Sequence, residues 1–507
     1  MNFYRYFRQQ LMGKSKGKER NRNGWLPKQW NEQAIRMLFG SSADITIQVY
    51  RFGCRQQIKT VIVYCEGMAN IQQVNEFVLP QLNRMLASSE RLEDSFVSNP
   101  LLQLNEIKAA EDLLHHLFDG NMIIVFEEQE KLYFVDVADI PRRTPEESNT
   151  EVSIKGPRDG FTEDLSTNIA LIRKRLKTPS LHHEQFRLGR RSHTKVSLLY
   201  LYDVARPDVV DEVRTRLNKI EVDGLLSNEQ LEEALSDYSH SLFPLFDYIG
   251  RPDHVAAGLL RGRFVILIDG SPMAITAPIN LTTLLKTPED MHLPFYYVAL
   301  ERFFRLIGIS ISIFLPGFWV ALTAYDIDQL PFHLLATVSN SRIGLPLSSP
   351  MEAFLMIGLF EIFREAGVRL PKAVGQTVTV IGGLIVGDAA IRAGITSPTM
   401  LFVCAVTAVA TFTLVNQSLS GSVSVIRIFV LICTSILGMY GFFISMFVII
   451  TYLSRLESFG LPYLAPISPL SPRDVLSGML IKPRDHIDHR PKMLHTLDTT
   501  RKKGDSP

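Results

Sequence analysis

Residues 306–325 read LIGISISIFLPGFWVALTAY, twenty positions without a single Asp, Glu, Lys or Arg. A helix of about 20 apolar residues is long enough to cross the hydrocarbon core of a bilayer. Two longer runs, 393–426 and 428–454, also lack these charges, and 374–391 contains only Asp388. A soluble domain can bury one such helix, but several in succession indicate a membrane domain.

The run 393–426 is too long for a single pass through a bilayer. Pro398 lies near its start, and the polar segment NQSLSGS at 416–422 predicts a turn before the next helix. We therefore predict an all-α membrane domain over 303–455. Its four transmembrane helices are expected near 306–325, 374–391, 398–417 and 427–453.

Residues 351–366 fit this count poorly. They mix apolar side chains with four charged ones, Glu352, Glu361, Arg364 and Glu365. The segment is short for a span and costly to expose to lipid, so we predict an amphipathic or re-entrant helix. Counting it as a span would give five passes and place the basic C-terminal tail on the outer side.

The flanking charges predict the orientation of the chain. Arg302 and Arg305 precede the first span, whereas Asp326 and Asp328 follow it. By the positive-inside rule, the N-terminal region is cytosolic. Four spans return the tail, 456–507, to the cytosolic side of a cell or spore membrane.

The residues before the membrane domain alternate between strand and helix patterns. The β-branched run IKTVIVY at 58–64 predicts a strand, and 207–219 predicts a helix. This alternation indicates an α/β cytosolic region with two subdomains. We place a basic arm at 1–40 and the subdomains at 41–145 and 150–300, and we see no internal repeat.

The motifs of common enzymes are missing from the sequence. The Gly13-Lys14-Ser15 triplet lacks the first glycine of a P-loop, and His183-Glu184 is followed by Arg187 where a zinc protease has histidine. The four cysteines include no C-x-x-C pair. The formal net charge of +1 gives no field that attracts nucleic acid. We predict a non-enzymatic protein without a metal or cofactor.

Polar residues in the membrane domain are the candidates for a pore or gate. Glu361, Arg364 and Glu365 would line an aqueous path if several copies surround it, and rings of acids favour cations. The alternative is an interfacial helix with its charges in water. Asp388 is a further candidate because carboxylates are costly in lipid. Its alternative is an i,i+4 ion pair with Arg392.

The later spans carry further polar and small residues. Thr411 and Asn416 either face a pore or hydrogen-bond neighbouring helices. Gly383 and Gly387 form a G-x-x-x-G pattern that allows close helix packing.

Several longer stretches resemble one family. They are IKGPRDGFTEDL at 154–165, RPDHVAAGLLRG at 251–262, FREAGVRLP at 363–371, GGLIVGDAA at 382–390 and FGLPYLAP at 459–466. Together they are similar to the signature of A subunits of GerA-type spore germinant receptors. The similarity runs from about residue 61 to residue 466 and therefore covers most of the chain.

The resemblance implies a protein of the inner spore membrane. It implies two partners, a permease-like, nutrient-binding B subunit and a C subunit that is a lipoprotein. It also implies a homo-oligomer that forms a nutrient-gated path for monovalent cations. Two alternatives are a non-conducting receptor scaffold and the sporulation-stage paralogue that assists dipicolinate or ion transport.

The motif at 154–165 is expected to assemble the receptor or to transmit its signal. Gly156 and Gly160 would shape a tight loop, and Arg158, Glu163 and Asp164 are candidates for ion pairs between subunits. The alternative is an intramolecular cap for the helix that starts near Glu163.

Overall fold

The structure is a computed structural model, and it divides the chain into two compact units, 1–141 with 177–179 and 142–176 with 180–507. It describes residues 30–52, 58–88, 102, 104–107, 110–127, 131–139, 155–238, 240–369, 386–470, 475 and 489–500.

The first unit is built on a five-stranded antiparallel sheet with the order β1-β2-β4-β5-β3. Both faces of this sheet are covered by buried apolar clusters. The strands are β1 Ile45–Phe52, β2 Ile58–Cys65, β3 Asn105–Glu106, β4 Met122–Phe126 and β5 Lys131–Val135. The helices are α1 Glu32–Phe39, α2 Leu79–Ser88, which follows helical turns at Ile71–Gln73 and Val74–Val78, and α3 Ala110–Phe118.

The second unit begins with another five-stranded antiparallel sheet, ordered β6-β7-β9-β10-β8. Its strands are β6 Leu181–Leu188, β7 Thr194–Leu201, β8 Asp247–Ile249, β9 Phe264–Ile268 and β10 Ala274–Ala277. Its helices are α4 Leu165–Arg175, α5 Pro207–Lys219, α6 Asn228–Leu235, α7 Pro252–Leu259 and α8 Leu281–Leu284, followed by a 3-10 turn at Pro288–Met291. The α/β character predicted for the N-terminal region is confirmed.

The two sheets share one topology, although we saw no repeat in the sequence. Each strand order reads first, second, fourth, fifth, third. The segment LFDGN at 117–121 precedes β4, and LLRGR at 259–263 precedes β9 in the same way. The glycines of both segments, Gly120 and Gly262, have positive φ angles of 86° and 94°. The region therefore contains a structural duplication whose signal in the sequence is confined to short turns.

The duplication identifies a role for the C-terminal segment 489–500. In the first unit the Met68 carbonyl accepts a hydrogen bond from Asp139 N at 2.8 Å, just after β5. The corresponding carbonyl in the second unit, that of Val204, accepts from Leu497 N at 3.1 Å. A distant part of the chain thus completes the second copy of the motif.

Leu494 anchors this segment, since it is buried against Leu461 and Ala465. We expect Leu494→Asp to release the segment, because it places a charge in an apolar contact at a cost of roughly 2 kcal/mol. Limited proteolysis of the full chain would report the release as faster cleavage within 489–500. The matched control is Leu497→Asp, because the Leu497 side chain is largely exposed. Equal protection in the two variants would contradict this anchoring role.

The helical region follows within the second unit. Its elements are α9 Phe295–Ala324, α10 Phe332–Ser341, α11 Ser349–Arg369, α12 Gly387–Arg392, α13 Pro398–Phe412 and α14 Gln417–Arg455, then the short strands β11 Glu457–Ser458 and β12 Leu461–Pro462. One hydrophobic cluster joins Ile266 of the second sheet to Ile313 of α9 and Val430 of α14. The second sheet and the helices therefore share one core.

The run predicted as a single span at 427–453 is not one straight helix. At Gly438 the backbone takes φ 62° and ψ −141°, which only glycine adopts readily. A β-carbon on Gly441 would overlap the carbonyl of Cys433, eight residues earlier, whereas a straight helix would separate them by about 12 Å. The chain therefore reverses at Gly438, and 417–437 and 439–455 form a helical hairpin.

The other helices differ from the prediction mainly in length. The segment predicted as a short helix at 351–366 extends over Ser349–Arg369, 21 residues. The span predicted at 398–417 ends at Phe412, because the chain turns before Asn416 caps the next helix. Most of the span predicted at 374–391 lies outside the described residues, which contain only α12 of it.

Candidate functional site

A buried charged cluster lies between α11, α13 and α14. Arg427 is only 4% exposed, and its guanidinium pairs with Glu361 of α11. It also donates to Thr411 Oγ1 of α13 and to Ser424 Oγ, each at 3.1 Å. Arg364 Nε donates to the second oxygen of Glu361 at 2.7 Å. One carboxylate is thus held by two guanidinium groups from different helices.

The cluster borders a cavity of about 170 Å³. Its walls combine the charged groups with apolar and hydroxyl-bearing side chains from α11 and α13, including Phe360, Thr407 and Phe412. The structure therefore brings together three of the residues predicted for a pore or gate, Glu361, Arg364 and Thr411.

The remaining predicted residues of this region lie elsewhere. Glu365 is exposed, one turn after Glu361. Asp388 forms an exposed i,i+4 pair with Arg392 at 2.8 Å, which matches the alternative interpretation. Gly387 packs closely on Leu401 of α13, as a helix-packing glycine does. Gly383 lies outside the described residues.

Asn416 connects the helices to the second sheet. Its side-chain oxygen caps α14 by accepting from Leu419 N, and its Nδ2 donates to Asp247 Oδ1 at 2.9 Å. Burial raises the pKa of Asp247 to about 6, against the opposing effects of the Arg263 charge and the Asn416 hydrogen bond.

Asp247 should make stability depend on pH. The folded protein retains this proton up to about pH 6, whereas an unfolded Asp loses it near pH 4, so stability falls as pH rises between these values. The loss is on the order of 2–3 kcal/mol. Asp247→Asn keeps the acceptor for Asn416 and should lack this loss. Melting temperatures of both proteins from pH 4 to 7 test this, and a difference between them that does not change with pH would contradict it.

A second charged cluster is built from the motifs at 154–165 and 251–262. Arg251 is 1% exposed and binds Asp253 through two hydrogen bonds of 3.1 and 2.7 Å. It also donates to Glu289 Oε1 at 2.5 Å, while Lys155 N donates to Glu289 Oε2 at 3.0 Å. A β-carbon on Gly156 would overlap the Arg251 guanidinium. Gly156 is therefore needed for the close approach of the 154–165 loop.

The neighbouring residue, Asp290, extends this cluster to the start of α9. Its Oδ2 accepts from Arg302 Nε at 2.9 Å, and its Oδ1 accepts from Arg305 Nη1 at 3.0 Å. Because Glu289 and Asp290 are adjacent, the 154–165 loop is linked to α9 through consecutive buried acids. We name the set Arg251, Asp253, Glu289, Asp290, Arg302 and Arg305 the coupling cluster.

The residues predicted for subunit assembly lie on the 154–165 loop and at the start of α4. Asp164 caps α4 by accepting from Thr167 N at 2.8 Å, which is the intramolecular alternative. The Glu163 carbonyl accepts from Gly270 N at 2.8 Å. Arg158 is exposed on the loop.

Sequence reasoning missed the central residues of both clusters. The signal for Arg427 was present, since it is the single charge between two runs of 34 and 27 uncharged residues. Arg251 and Glu289 carried no such signal, because they are separated by 38 positions and only folding brings them together.

The fold defines the class of the protein. Its α/β sheet region is continuous with a helical region. Within the described residues, Phe295–Ala324 and the segment Ser418–Arg455 are long and apolar enough to cross a membrane, and the reversal at Gly438 divides the second of them. A third apolar helix, Pro398–Phe412, is shorter. The described residues thus form a soluble-type α/β region that leads into candidate membrane helices.

The model of the Bacillus/Clostridium GerA spore germination protein family matches residues 33–493. The chain belongs to this family.

Several relatives align along nearly their whole length. Spore germination protein XA of Bacillus anthracis is 43% identical over 479 residues, which cover 93% of this chain and 97% of the relative. Spore germination protein KA of Bacillus subtilis (strain 168) is 31% identical over 92% of this chain and 86% of its own length. Spore germination protein GerLA of Bacillus cereus is 31% identical over 92% and 95%.

A solved structure is also similar. It is the N-terminal domain of the A subunit of the Bacillus megaterium spore germinant receptor GerK3. It is 29% identical and covers 48% of this chain and 92% of its own, with a TM-score of 0.36.

Proposed function

We propose that this protein is the A-type membrane subunit of a nutrient germinant receptor that triggers spore germination. The observation that carries the proposal is the family match over residues 33–493, together with relatives that are named spore germination proteins. The receptor is an assembly in which several copies of this chain form a gated cation path with B and C subunits. The role requires positioning and movement of helices and no catalytic step.

The helices suggest a membrane path with an even number of passes. Six passes result when α9, α11, the predicted span at 374–391, α13 and both halves of the 417–455 hairpin are counted. An even number keeps the sheets and the tail on the cytosolic side, as the flanking charges require. The charges of α11 favour this assignment, since Glu361 pairs with Arg427 within the protein.

The Glu361–Arg427 pair fits the role of a closed gate better than the role of a free acid in an open pore. A cation entering beside Glu361 meets two guanidinium groups that already neutralise its carboxylate. The pair also connects α11 to α14 beside the cavity, so it stabilises the arrangement seen here. We assign this arrangement to the closed state, and cation passage then requires the pair to separate.

The coupling cluster is the proposed route from the cytosolic region to the gate. Nutrient binding to the B subunit biases a closed-to-open equilibrium of the oligomer. A displacement of the 154–165 loop reaches α9 through Glu289, Asp290 and the two arginines of α9. Two ion pairs of Asp290 join α9 to the turn at Pro288–Met291, so the helix and the turn move as one body.

Germination of spores from the source organism tests the receptor role. Spores without this gene should lose the early release of monovalent cations in response to one nutrient class, and the restored gene should recover it. Normal germination on every nutrient, with altered dipicolinate content instead, would refute the receptor role and favour the sporulation-stage paralogue. The scaffold role would be favoured if spores without this gene also lack the partner subunits in their membrane and if another subunit conducts the cations.

A further inference from the structure

A buried carboxylate lies at the end of the helical region away from the sheets. Glu352, on the first turn of α11, is fully buried. Its Oε1 accepts three hydrogen bonds from the chain before α13, from Thr396 Oγ1 at 2.9 Å, Ser397 N at 2.5 Å and Ser397 Oγ at 2.6 Å. Three donors thus converge on one oxygen of this buried carboxylate.

The second oxygen of this carboxylate is left without a partner. Glu352 Oε2 is buried, and no described group of the protein hydrogen-bonds to it. An ionised oxygen in a buried position costs several kcal/mol unless a positive group or a hydrogen-bond donor compensates it. Among the described residues, Oε1 has three donors and Oε2 has none, so Oε2 is available to a positive group.

Further buried hydroxyl groups lie on the same face of α11 as the carboxylate. Ser349 lies three residues before Glu352 on the same face of α11. Its hydroxyl accepts from Thr323 Oγ1 of α9 at 3.1 Å, and both side chains are buried. With Thr396 and Ser397, these residues bring oxygen atoms from three parts of the helical region towards one acid.

We propose that Glu352 and these hydroxyl groups bind a dehydrated monovalent cation, sodium or potassium. Hard cations prefer oxygen ligands, and one carboxylate neutralises one positive charge. A divalent ion would leave an excess charge in a buried site, and the described residues contain no group of three or more His, Cys, Asp or Glu that could hold a metal ion. The cation completes the coordination of Oε2.

The site joins α9, α11 and the start of α13 at one point. Occupancy therefore stabilises the packing of these three helices, and loss of the ion loosens it. The inference deepens the proposed function by placing a specific ion site in the cation-conducting subunit, and it rests on that function only for the biological meaning of the site.

Thermal unfolding of the full-length protein in detergent tests the site. Sodium, potassium and choline chloride are compared at equal ionic strength and fixed pH. We expect sodium or potassium to raise the melting temperature by a few degrees, saturably, relative to choline. Glu352→Gln keeps an oxygen that accepts the Oε1 hydrogen bonds and should abolish the difference between salts. The control Glu365→Gln alters an exposed acid of the same helix and should retain it.

The measurement decides against the proposal in two ways. Equal melting temperatures of the wild type in all three salts would overturn it, and this comparison does not depend on any variant folding. A full cation response in Glu352→Gln would also overturn it. Thr323→Val, which removes a hydroxyl that does not bond to Glu352, should raise the cation concentration for half-maximal stabilisation. A protein that binds the ion saturably but conducts none in liposomes would retain this site and refute the conducting role.

Discussion

Replacing Arg251 with methionine should lower the free energy of unfolding by about 3–5 kcal/mol. The substitution removes the guanidinium and leaves the buried Glu289 and the half-buried Asp253 without their main partner. Methionine fills a similar volume, so the loss reports uncompensated charge more than a cavity. Denaturant unfolding of the full-length protein in detergent measures it.

A surface pair provides the control for this variant. Arg190 and Glu221 form an ion pair of 3.1 Å with both side chains largely exposed. Arg190→Met should change stability by no more than about 0.5 kcal/mol. Adding Glu289→Gln to Arg251→Met should restore part of the lost stability, because it removes one of the two stranded charges. An Arg251→Met protein as stable as the control would show that the coupling cluster is not a stabilising contact.

Replacing Arg427 with glutamine should produce a cation leak that does not require nutrient. The pair with Glu361 connects α11 and α14 beside the cavity, and its loss removes a contact that stabilises the closed arrangement. The loss of a buried pair costs about 3–5 kcal/mol, enough to shift a two-state equilibrium by more than a hundredfold. Potassium release from proteoliposomes that contain the variant and its partners measures the leak.

Two further variants separate gating from general damage. Arg392→Gln breaks the exposed pair with Asp388 and should leave the closed state intact. Exchanging the charges, with Glu361→Arg and Arg427→Glu together, should reduce the leak of either single variant. A folded Arg427→Gln protein that stays closed without nutrient would remove the pair from the gate.

The local elements of the soluble region were largely predictable from sequence. The helix Pro207–Lys219 has the predicted bounds, because Pro207 occupies its first turn and apolar residues recur with helical spacing. The strand predicted at 58–64 is confirmed as β2, because its β-branched residues favour extended backbone. Strand β6, with the sequence LHHEQFRL, was not predicted, because its many polar side chains obscure the alternation of apolar and polar residues that is typical of a strand.

Features that depend on distant contacts were not predictable. The reversal at Gly438 is flanked by apolar residues, so it lacks the polar turn signals that soluble loops carry. The absence of charge over 428–454 indicates a membrane segment, but it does not reveal that the segment belongs to a helical hairpin. The orphan oxygen of Glu352 and the pairing of Glu361 with Arg427 require the folded arrangement of three helices.

Ion flux from liposomes tests the central claim most directly. The full-length protein is reconstituted with its B and C subunits, and potassium release is followed before and after nutrient is added. We predict release that depends on nutrient and on all subunits, with Arg427→Gln releasing ions before the addition. An intact complex that releases no ions with nutrient present would contradict the account and place the ion path in another protein.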